Sequence, residues 1–239
     1  HRPPLPLYTL DDVADTLTLL QPLEFDSDFD LGDGIVLRFT RAGHILGSAS
    51  VTVTTAHASV LFSGDLGRHD HPVLRPREIP PGAPYVVVES TYGDREHPEP
   101  ANLPHEVLAD VIRRTIERGG SVLIPTFAVD RVEGVLKVLH ELHRDERIPS
   151  VPVYVNSPMA LDALDVYRDM PEELRPDFEL DAEIDRPHIH EVRTAEESKA
   201  LTADGPRRPS VILSSSGMLT GGRVVHHLEH MLPDARNAI

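Results

Sequence analysis

The segment RAGHILGSA at residues 41–49 is followed, after the length of a short hairpin, by FSGDLGR at residues 62–68. His44 lies between glycines in the first segment and Asp65 lies between glycines in the second. Glycine permits tight turns and lets the backbone approach a ligand closely. Two strand ends of one sheet can bring an imidazole and a carboxylate together, and metal-activated hydrolysis uses both groups. The pairing predicts part of a hydrolytic metal centre.

Composition limits the class of protein. The chain has 239 residues, of which 40% are hydrophobic, so it can form one large domain or two modest ones with a real core. It contains no cysteine, which excludes disulfides and thiolate metal sites and makes a cytoplasmic location the default expectation. The sequence has no apolar run of about 18 residues, so we expect no membrane span.

The formal net charge of -16 argues against nucleic acid when it is taken alone, because phosphate binding relies on neutralisation by Lys and Arg. The location of the charge matters more than its sum, and much of the acid falls in surface-like stretches such as residues 177–185. The basic residues are nearly all Arg, which suits bidentate phosphate contacts, although genome composition can produce the same bias. The charge therefore leaves RNA binding open.

Two patterns of secondary structure divide the chain near residue 95. Before it, the sequence predicts a helix at residues 9–20, a polar turn at 25–31, and strands at 34–40, 49–55, 59–63 and 85–88, the last of a buried type. After it, helices at 101–118, 129–144, 159–170 and 222–231 alternate with strands at 121–124, 151–155 and 210–213. This alternation is typical of a parallel sheet with crossover helices, so we expect an α/β protein.

Six segments, taken in order, resemble signatures of the metallo-β-lactamase superfamily and of its β-CASP branch of nucleases. They are AGHILGSA (42–49), SGD (63–65), ESTYG (89–93), GGSVLIPTFAV (119–129), VNSPMA (155–160) and SSSGMLTGG (214–222). That branch includes the endonuclease of the cleavage and polyadenylation machinery and bacterial and archaeal relatives. The resemblance implies part of an αββα sandwich over residues 1–94. It implies part of an inserted β-CASP domain, with a mainly parallel sheet flanked by helices, over residues 95–239.

The resemblance also implies a site with two zinc ions. His44 matches a zinc ligand, Asp65 matches the carboxylate that bridges both metals, and Glu89 matches the acidic residue that opens the β-CASP region. We expect Asp65 and Glu89 to be catalytic residues, with Glu89 orienting a histidine or assisting proton transfer. From spacing alone, a loop histidine and turn-forming carboxylates explain the same residues.

The chain departs from the family pattern in its metal ligands. The His-x-His-x-Asp-His run that the family carries upstream of the first helix is absent, and so are the family's later histidines. His226 and His227 do not supply the missing spacing, because helical neighbours face different sides. A smaller departure is Asp130, where relatives often carry glycine. We therefore expect a fragment of a longer protein that binds zinc weakly or not at all and is inactive alone.

Loops at the carboxyl ends of the predicted parallel strands are candidate RNA contacts, because ligands of open α/β sheets bind there. Hydroxyls, helix-start amides and an arginine can hold phosphate, although turn and cap chemistry uses the same residue types. The candidates are Thr126, Arg131, Ser157, Ser214, Ser215, Ser216 and Gly217.

Together these features predict that the parent protein hydrolyses RNA phosphodiesters in RNA processing or decay, through a zinc-held hydroxide that attacks phosphorus. Three alternatives remain: a non-catalytic RNA-binding or scaffold subunit, a small-molecule hydrolase such as a thioesterase on the same sandwich, and a DNA-processing member of the branch. The sequence does not distinguish endonuclease from exonuclease action, and it leaves a homodimer open.

Overall fold

The computed structural model describes residues 6–96, 104–178, 180, 188–203 and 208–239. The first part contains α1 (Leu10–Leu17) and the strands β1 (Asp28–Gly32), β2 (Ile35–Arg41), β3 (Ala49–Thr54), β4 (Ser59–Phe62) and β5 (Tyr85–Val87). The second part contains the strands β6 (Val122–Pro125), β7 (Val153–Asn156), β8 (Ile189–Glu191) and β9 (Val211–Ser214). Its helices are α2 (Glu106–Glu117), α3 (Arg131–Arg144), α4 (Pro158–Asp169), α5 (Ala195–Ala203) and α6 (Arg223–Met231), with a 3-10 turn at Pro171–Glu173.

The first sheet has the order β1-β2-β3-β4-β5. Neighbouring strands from β1 to β4 run antiparallel, and β5 joins β4 in parallel. Arg41 pairs with Ala49 at the end of the β2–β3 hairpin, so residues 42–48 form its connecting loop and carry His44. The first sheet thus places the histidine segment at a hairpin end.

The second sheet has the order β6-β9-β7-β8, and all of its pairs are parallel. Helices connect successive strands, because parallel strands need a crossover. The main core packs around this sheet and includes Ile112 of α2, Leu136 of α3, Leu164 of α4 and Leu213 of β9, all essentially inaccessible to solvent. The mixed α/β class and the parallel sheet that the sequence predicted are confirmed.

Some elements differ from the sequence-based expectation. Residues 28–31, which were predicted to lie in a polar turn, belong to the edge strand β1, because an edge strand needs only backbone pairing with β2 and tolerates polar side chains. The helix predicted at residues 101–118 spans Glu106–Glu117; residues 104 and 105 form a turn before it, and residues 101–103 lie outside the described part. The short strand β8 and helix α5 were not predicted.

The strand β5 was predicted to be buried, and this was wrong. Tyr85, Val86 and Val87 are 62%, 57% and 55% exposed, since no described residue covers this edge strand. Helix α1 begins at a capping box of Thr9 and Asp12 but buries none of its residues. The second sheet of an αββα sandwich and the boundary near residue 95 remain predictions. None of the described helices is long and apolar enough to cross a membrane.

The segment between β4 and β5 contacts both parts of the molecule, the one with the first sheet and the one with the second sheet. Leu74 is buried in the main core and forms an isolated bridge with Leu174. Arg41, at the end of β2, donates through Nε and Nη2 to the two carboxylate oxygens of Glu173, each at 2.7 Å. This contact raises the pKa of the Arg41 guanidinium and lowers the pKa of the Glu173 carboxyl. A bidentate, largely buried ion pair therefore connects the end of the β2–β3 hairpin to the part of the molecule that contains the second sheet.

We expect Glu173→Gln to lower the free energy of unfolding at pH 7 by about 2 kcal/mol, because it leaves the Arg41 charge with a weaker partner. The folded-state pKa of Glu173 is depressed, so its contribution is present above the unfolded pKa near 4.3 and is lost as pH falls through the folded value. Urea unfolding across this range measures the difference. Glu172→Gln, at the exposed neighbouring carboxylate, is the control, and an equal loss in both variants would contradict the assignment.

Candidate functional site

The loop that carries His44 is organised by the Ser48 hydroxyl. This oxygen accepts hydrogen bonds from the amides of His44 at 2.9 Å and Ile45 at 3.2 Å. The Ala42 amide donates to the Ser48 carbonyl at 2.9 Å and closes the loop. The His44 residue is exposed at this closed turn. A serine four residues after the histidine thus gives the loop a defined shape.

The loop that carries Asp65 packs directly on the histidine loop. The Gly67 amide donates to the Ala42 carbonyl at 2.9 Å. A Cβ atom on Gly67 would collide with the Gly43 carbonyl and the His44 amide, so only glycine allows this approach. Asp65 is exposed two residues earlier. The backbone contact brings the two predicted ligand segments together.

Glu89 follows β5 and completes the same loop cluster. Its amide donates to the Ser63 hydroxyl at 3.0 Å. Its carboxylate accepts hydrogen bonds from the amides of Thr91 at 3.0 Å and Leu66 at 3.4 Å. The pKa of Glu89 is lowered, chiefly by the Thr91 amide and in smaller part by the Leu66 amide and the charge of His44. Glu89 is therefore an ionised group that holds the residue next to Asp65.

An imidazole and a carboxylate are suitable zinc donors, but the described residues do not form a complete metal centre. Across residues 6–96 and the other described ranges, no group of three or more His, Cys, Asp or Glu side chains could hold a metal ion. A catalytic zinc takes about three protein ligands and a water. His44 and Asp65 provide two donors, and the Glu89 oxygens are engaged with amides.

The candidate RNA contacts all lie at the carboxyl ends of the strands of the second sheet, because β6, β9 and β7 are adjacent and parallel. We call this side of the sheet its carboxyl edge. The Thr126 amide donates to the Ser214 carbonyl at 3.0 Å, which joins two of these loops. The hydroxyl of Ser157 accepts from the Ala160 amide as the cap of α4. The buried hydroxyl of Ser214 donates to the Asn156 carbonyl at 3.3 Å. These two hydroxyls have internal partners.

The remaining candidates of this edge differ in their exposure. Arg131 is exposed at the first position of α3. The backbones of Ser215, Ser216 and Gly217 form the turn after β9, and each of these residues is partly accessible. The Ser215 Oγ atom is itself buried and has no hydrogen-bond partner among the described residues. Arg131 is thus the charged group that this edge presents to solvent.

Beneath this edge lies a polar network that sequence reasoning missed. The Asn156 amide donates to the Ser198 hydroxyl at 3.0 Å and to Nε2 of His227 at 2.7 Å. Arg223 donates to the Asn156 side-chain oxygen at 2.8 Å and to the Val192 carbonyl at 2.7 Å. Burial lowers the pKa of His227 to about 4, so the ring is neutral. The only sequence signal was the place of Asn156 in the VNSPMA segment, since the other partners are distant in sequence.

A second cluster links the two halves below α3. Asp130 has φ of +71° and ψ of −43°, the centre of a γ-turn of the uncommon type that the Arg131 amide closes on the Val129 carbonyl at 2.9 Å. Its carboxylate accepts from the Tyr167 hydroxyl at 3.3 Å and from Nε2 of His71 at 3.0 Å. The Nδ1 atom of that imidazole accepts the Leu74 amide at 2.9 Å, which leaves the proton on Nε2. The Asp130 carboxylate is thus held inward.

Glu133 is fully buried in the first turn of α3, and neither of its carboxylate oxygens has a partner among the described residues. Burial, with a smaller contribution from the charge of Asp130, raises the pKa of Glu133 to about 8. Burial and the same charge also raise the pKa of Tyr167. The acidic side chains at the start of α3 are therefore paired or neutral at pH 7.

The two sheets and their loop clusters define a mixed α/β protein, and comparison with known proteins specifies its class. The Beta-Casp domain model matches residues 133–239. The chain is 40% identical over 240 residues to ribonuclease TTHA0252 of Thermus thermophilus, covering 98% of this chain and 54% of that protein. It is 33% identical over 244 residues to the transcription termination factor FttA of Methanocaldococcus jannaschii, covering 97% and 38%.

A third relative is the endoribonuclease ysh1 of Schizosaccharomyces pombe, 32% identical over 237 residues, covering 98% of this chain and 30% of that protein. Residues 133–239 thus carry a Beta-Casp domain, and the similarity to β-CASP ribonucleases that the motifs predicted is confirmed. The chain spans about half or less of the length of these relatives.

We expect Gly67→Ala to lower the free energy of unfolding by about 3 kcal/mol and to shift the His44 imidazole resonances, because a methyl group separates the two loops. Urea unfolding and NMR measure these effects. Gly82→Ala is the matched control, since a Cβ atom there meets nothing within 4 Å. If both variants behave alike, the loops do not depend on this contact.

For Glu133, the raised folded-state pKa means that the unfolded chain ionises first as pH rises. Stability should fall by a few kcal/mol between about pH 4.5 and about pH 8, above which the Glu133 carboxyl is ionised in the folded state as well. Glu133→Gln should remove this fall, whereas Glu117→Gln, at an exposed carboxylate, should retain it. Denaturant unfolding at successive pH values decides, and an unchanged slope in Glu133→Gln would refute a neutral buried acid.

Proposed function

We propose that the protein carrying this chain is a cytoplasmic nuclease that hydrolyses phosphodiester bonds of RNA. The observation that carries the proposal is the packing of Gly67 against the His44 loop, which brings His44, Asp65 and Glu89 into one cluster. The named activities of the ribonuclease from Thermus thermophilus and the endoribonuclease from Schizosaccharomyces pombe support it. The cluster lies on turns at strand ends, where catalytic groups are commonly held.

The proposal assigns zinc to this cluster, with His44 and Asp65 as two of its donors and the remaining donors supplied by other parts of the protein. Bound zinc supplies a polarised water. Glu89 is a positioning residue in this proposal. Its carboxylate accepts a hydrogen bond from the Leu66 amide, next to Asp65, and its negative charge lies close enough to His44 to interact with it. Each of these roles belongs to residues of this chain and can be tested separately.

The RNA backbone is proposed to run along the carboxyl edge of the second sheet. Arg131 is exposed there and suits phosphate recognition. Amides in the loop at residues 127–130 and the amide of Gly217 are further donors for phosphate oxygens. The net charge of -16 makes these local contacts more important, because long-range attraction of a polyanion is weak.

A second candidate is an RNA-binding subunit that does not cleave. The incomplete ligand set among the described residues favours it, and so does the relationship to a protein named as a transcription termination factor. Both candidates share the RNA-binding edge and differ only in the loop cluster. Cleavage measured on the complete protein separates them.

We expect Asp65→Ala in the complete protein to reduce RNA cleavage by about a thousandfold or more, with RNA binding retained, because the variant removes a reacting-centre carboxylate. Asp70→Ala, at an exposed carboxylate paired with Arg68, should cleave within about twofold of the unchanged protein. Cleavage of end-labelled RNA and binding are measured together.

Three results decide the proposal. Near-normal cleavage by Asp65→Ala removes this residue from the mechanism. Binding without cleavage by the unchanged complete protein selects the second candidate. The 239-residue chain alone is expected to show no cleavage with added zinc, and robust cleavage would show that its own residues suffice.

A further inference from the structure

Three exposed apolar side chains lie on the same sheet edge as the candidate RNA contacts. Phe127, Met159 and Met218 are 56%, 66% and 68% exposed. They follow β6, β7 and β9, which are neighbours in the order β6-β9-β7, so their loops adjoin at the carboxyl ends of the strands. We refer to these three residues as the apolar ledge. Phosphate binding, as proposed above, does not use these three apolar side chains.

The polar groups beside the ledge are mostly turned inward. The Ser157 and Ser214 hydroxyls have internal partners, and Asp130 is paired with His71 and Tyr167. In the part of the chain that the structure describes, the exposed Arg131 side chain forms no ion pair or hydrogen bond. The edge therefore presents an apolar surface next to one available guanidinium.

The position of Phe127 is supported by the loop after β9. A Cβ atom on Gly217 would lie 3.1 Å from the Phe127 amide nitrogen and 3.3 Å from Cδ2 of its ring, so the two backbones are in close contact. Glycine at this position lets the loop pack against the aromatic residue while more than half of Phe127 remains accessible. A supported aromatic ring loses little conformational freedom when a flat ligand stacks on it.

The size and chemistry of the ledge fit a nucleobase better than a protein. Three partly exposed side chains offer a few hundred Å², whereas a stable protein interface needs about 800 Å² from each partner. An aromatic ring and polarisable thioethers suit a base, because stacking is insensitive to base identity. Stacking also does not depend on net charge, and this chain carries -16. A neighbouring cation for phosphate completes a nucleotide-sized site.

Building on the proposed function, we propose that Phe127, Met159 and Met218 stack on one unpaired base of a single-stranded RNA while Arg131 contacts a neighbouring phosphate. The site selects single strands, because the bases of a duplex are already stacked on each other. It would orient the strand along the sheet edge and so set which linkage reaches the loop cluster of His44 and Asp65.

The test measures RNA binding by the complete protein in an Asp65→Ala background, where the RNA stays intact. Phe127→Ala should weaken binding of an unstructured RNA about 5- to 150-fold, the range for loss of one stacked base. Phe127→Trp should retain affinity. Arg131→Ala should instead lower the dependence of log affinity on log salt by about one unit, which Phe127→Ala leaves unchanged. Leu232→Ala, an exposed apolar residue after α6, should have no effect.

An RNA series with one abasic nucleotide at successive positions completes the test. At one position, the abasic nucleotide should weaken binding by the protein that retains Phe127 as much as Phe127→Ala weakens binding of intact RNA. The same abasic nucleotide should not weaken binding by the Phe127→Ala variant any further. If Phe127→Ala binds within twofold of its parent, or if the abasic penalty persists unchanged in it, the ledge does not hold a base. That result leaves the proposed function standing, because RNA cleavage by the unchanged protein tests the latter independently.

Discussion

The contact of Gly67 with the backbone of Gly43 and His44 is the constraint on which the candidate centre depends. It joins a hairpin loop to the turn after β4 with no side chain between them. The Glu89 carboxylate then binds the Leu66 amide and adds the end of β5 to the same cluster. Three segments that are well separated in sequence therefore converge through contacts to backbone amides. These contacts place the three loops that carry His44, Asp65 and Glu89 next to one another.

The two halves of the molecule meet through polar groups as well as apolar packing. Arg41 donates two hydrogen bonds to Glu173, and His71 and Tyr167 each donate one to Asp130. Such contacts require geometry from both partners, which makes the relative position of the joined segments specific. Glu133 lies nearby with an unpaired, neutral carboxyl group. The same arrangement keeps Glu133 uncharged and holds the Asp130 carboxylate in internal hydrogen bonds, while Arg131 and the apolar ledge stay exposed at the carboxyl ends of the strands.

Much of the fold could be predicted from local patterns. The strand and helix alternation after residue 95 predicted a parallel sheet, because buried parallel strands and amphipathic crossover helices each have a recognisable period. The strand β1 was missed because its side chains are polar and only its backbone pairing with β2 makes it a strand. The exposure of β5 was missed because an apolar sequence predicts burial but does not say which segment covers it. The network of Asn156, Ser198 and His227 joins residues up to 71 positions apart, which no local pattern links.

The sequence by itself determined most of the element types, the resemblance to β-CASP proteins and the identity of the polar residues at strand ends, since these follow from periodicity and from ordered motifs. Only the tertiary structure decided which of those residues are available. It assigned the Ser157 and Ser214 hydroxyls to internal hydrogen bonds, left Arg131 and Phe127 exposed, and buried Glu133 without a partner. The physical reason is that burial and hydrogen bonding depend on what packs against a side chain, and the neighbours come from distant parts of the chain.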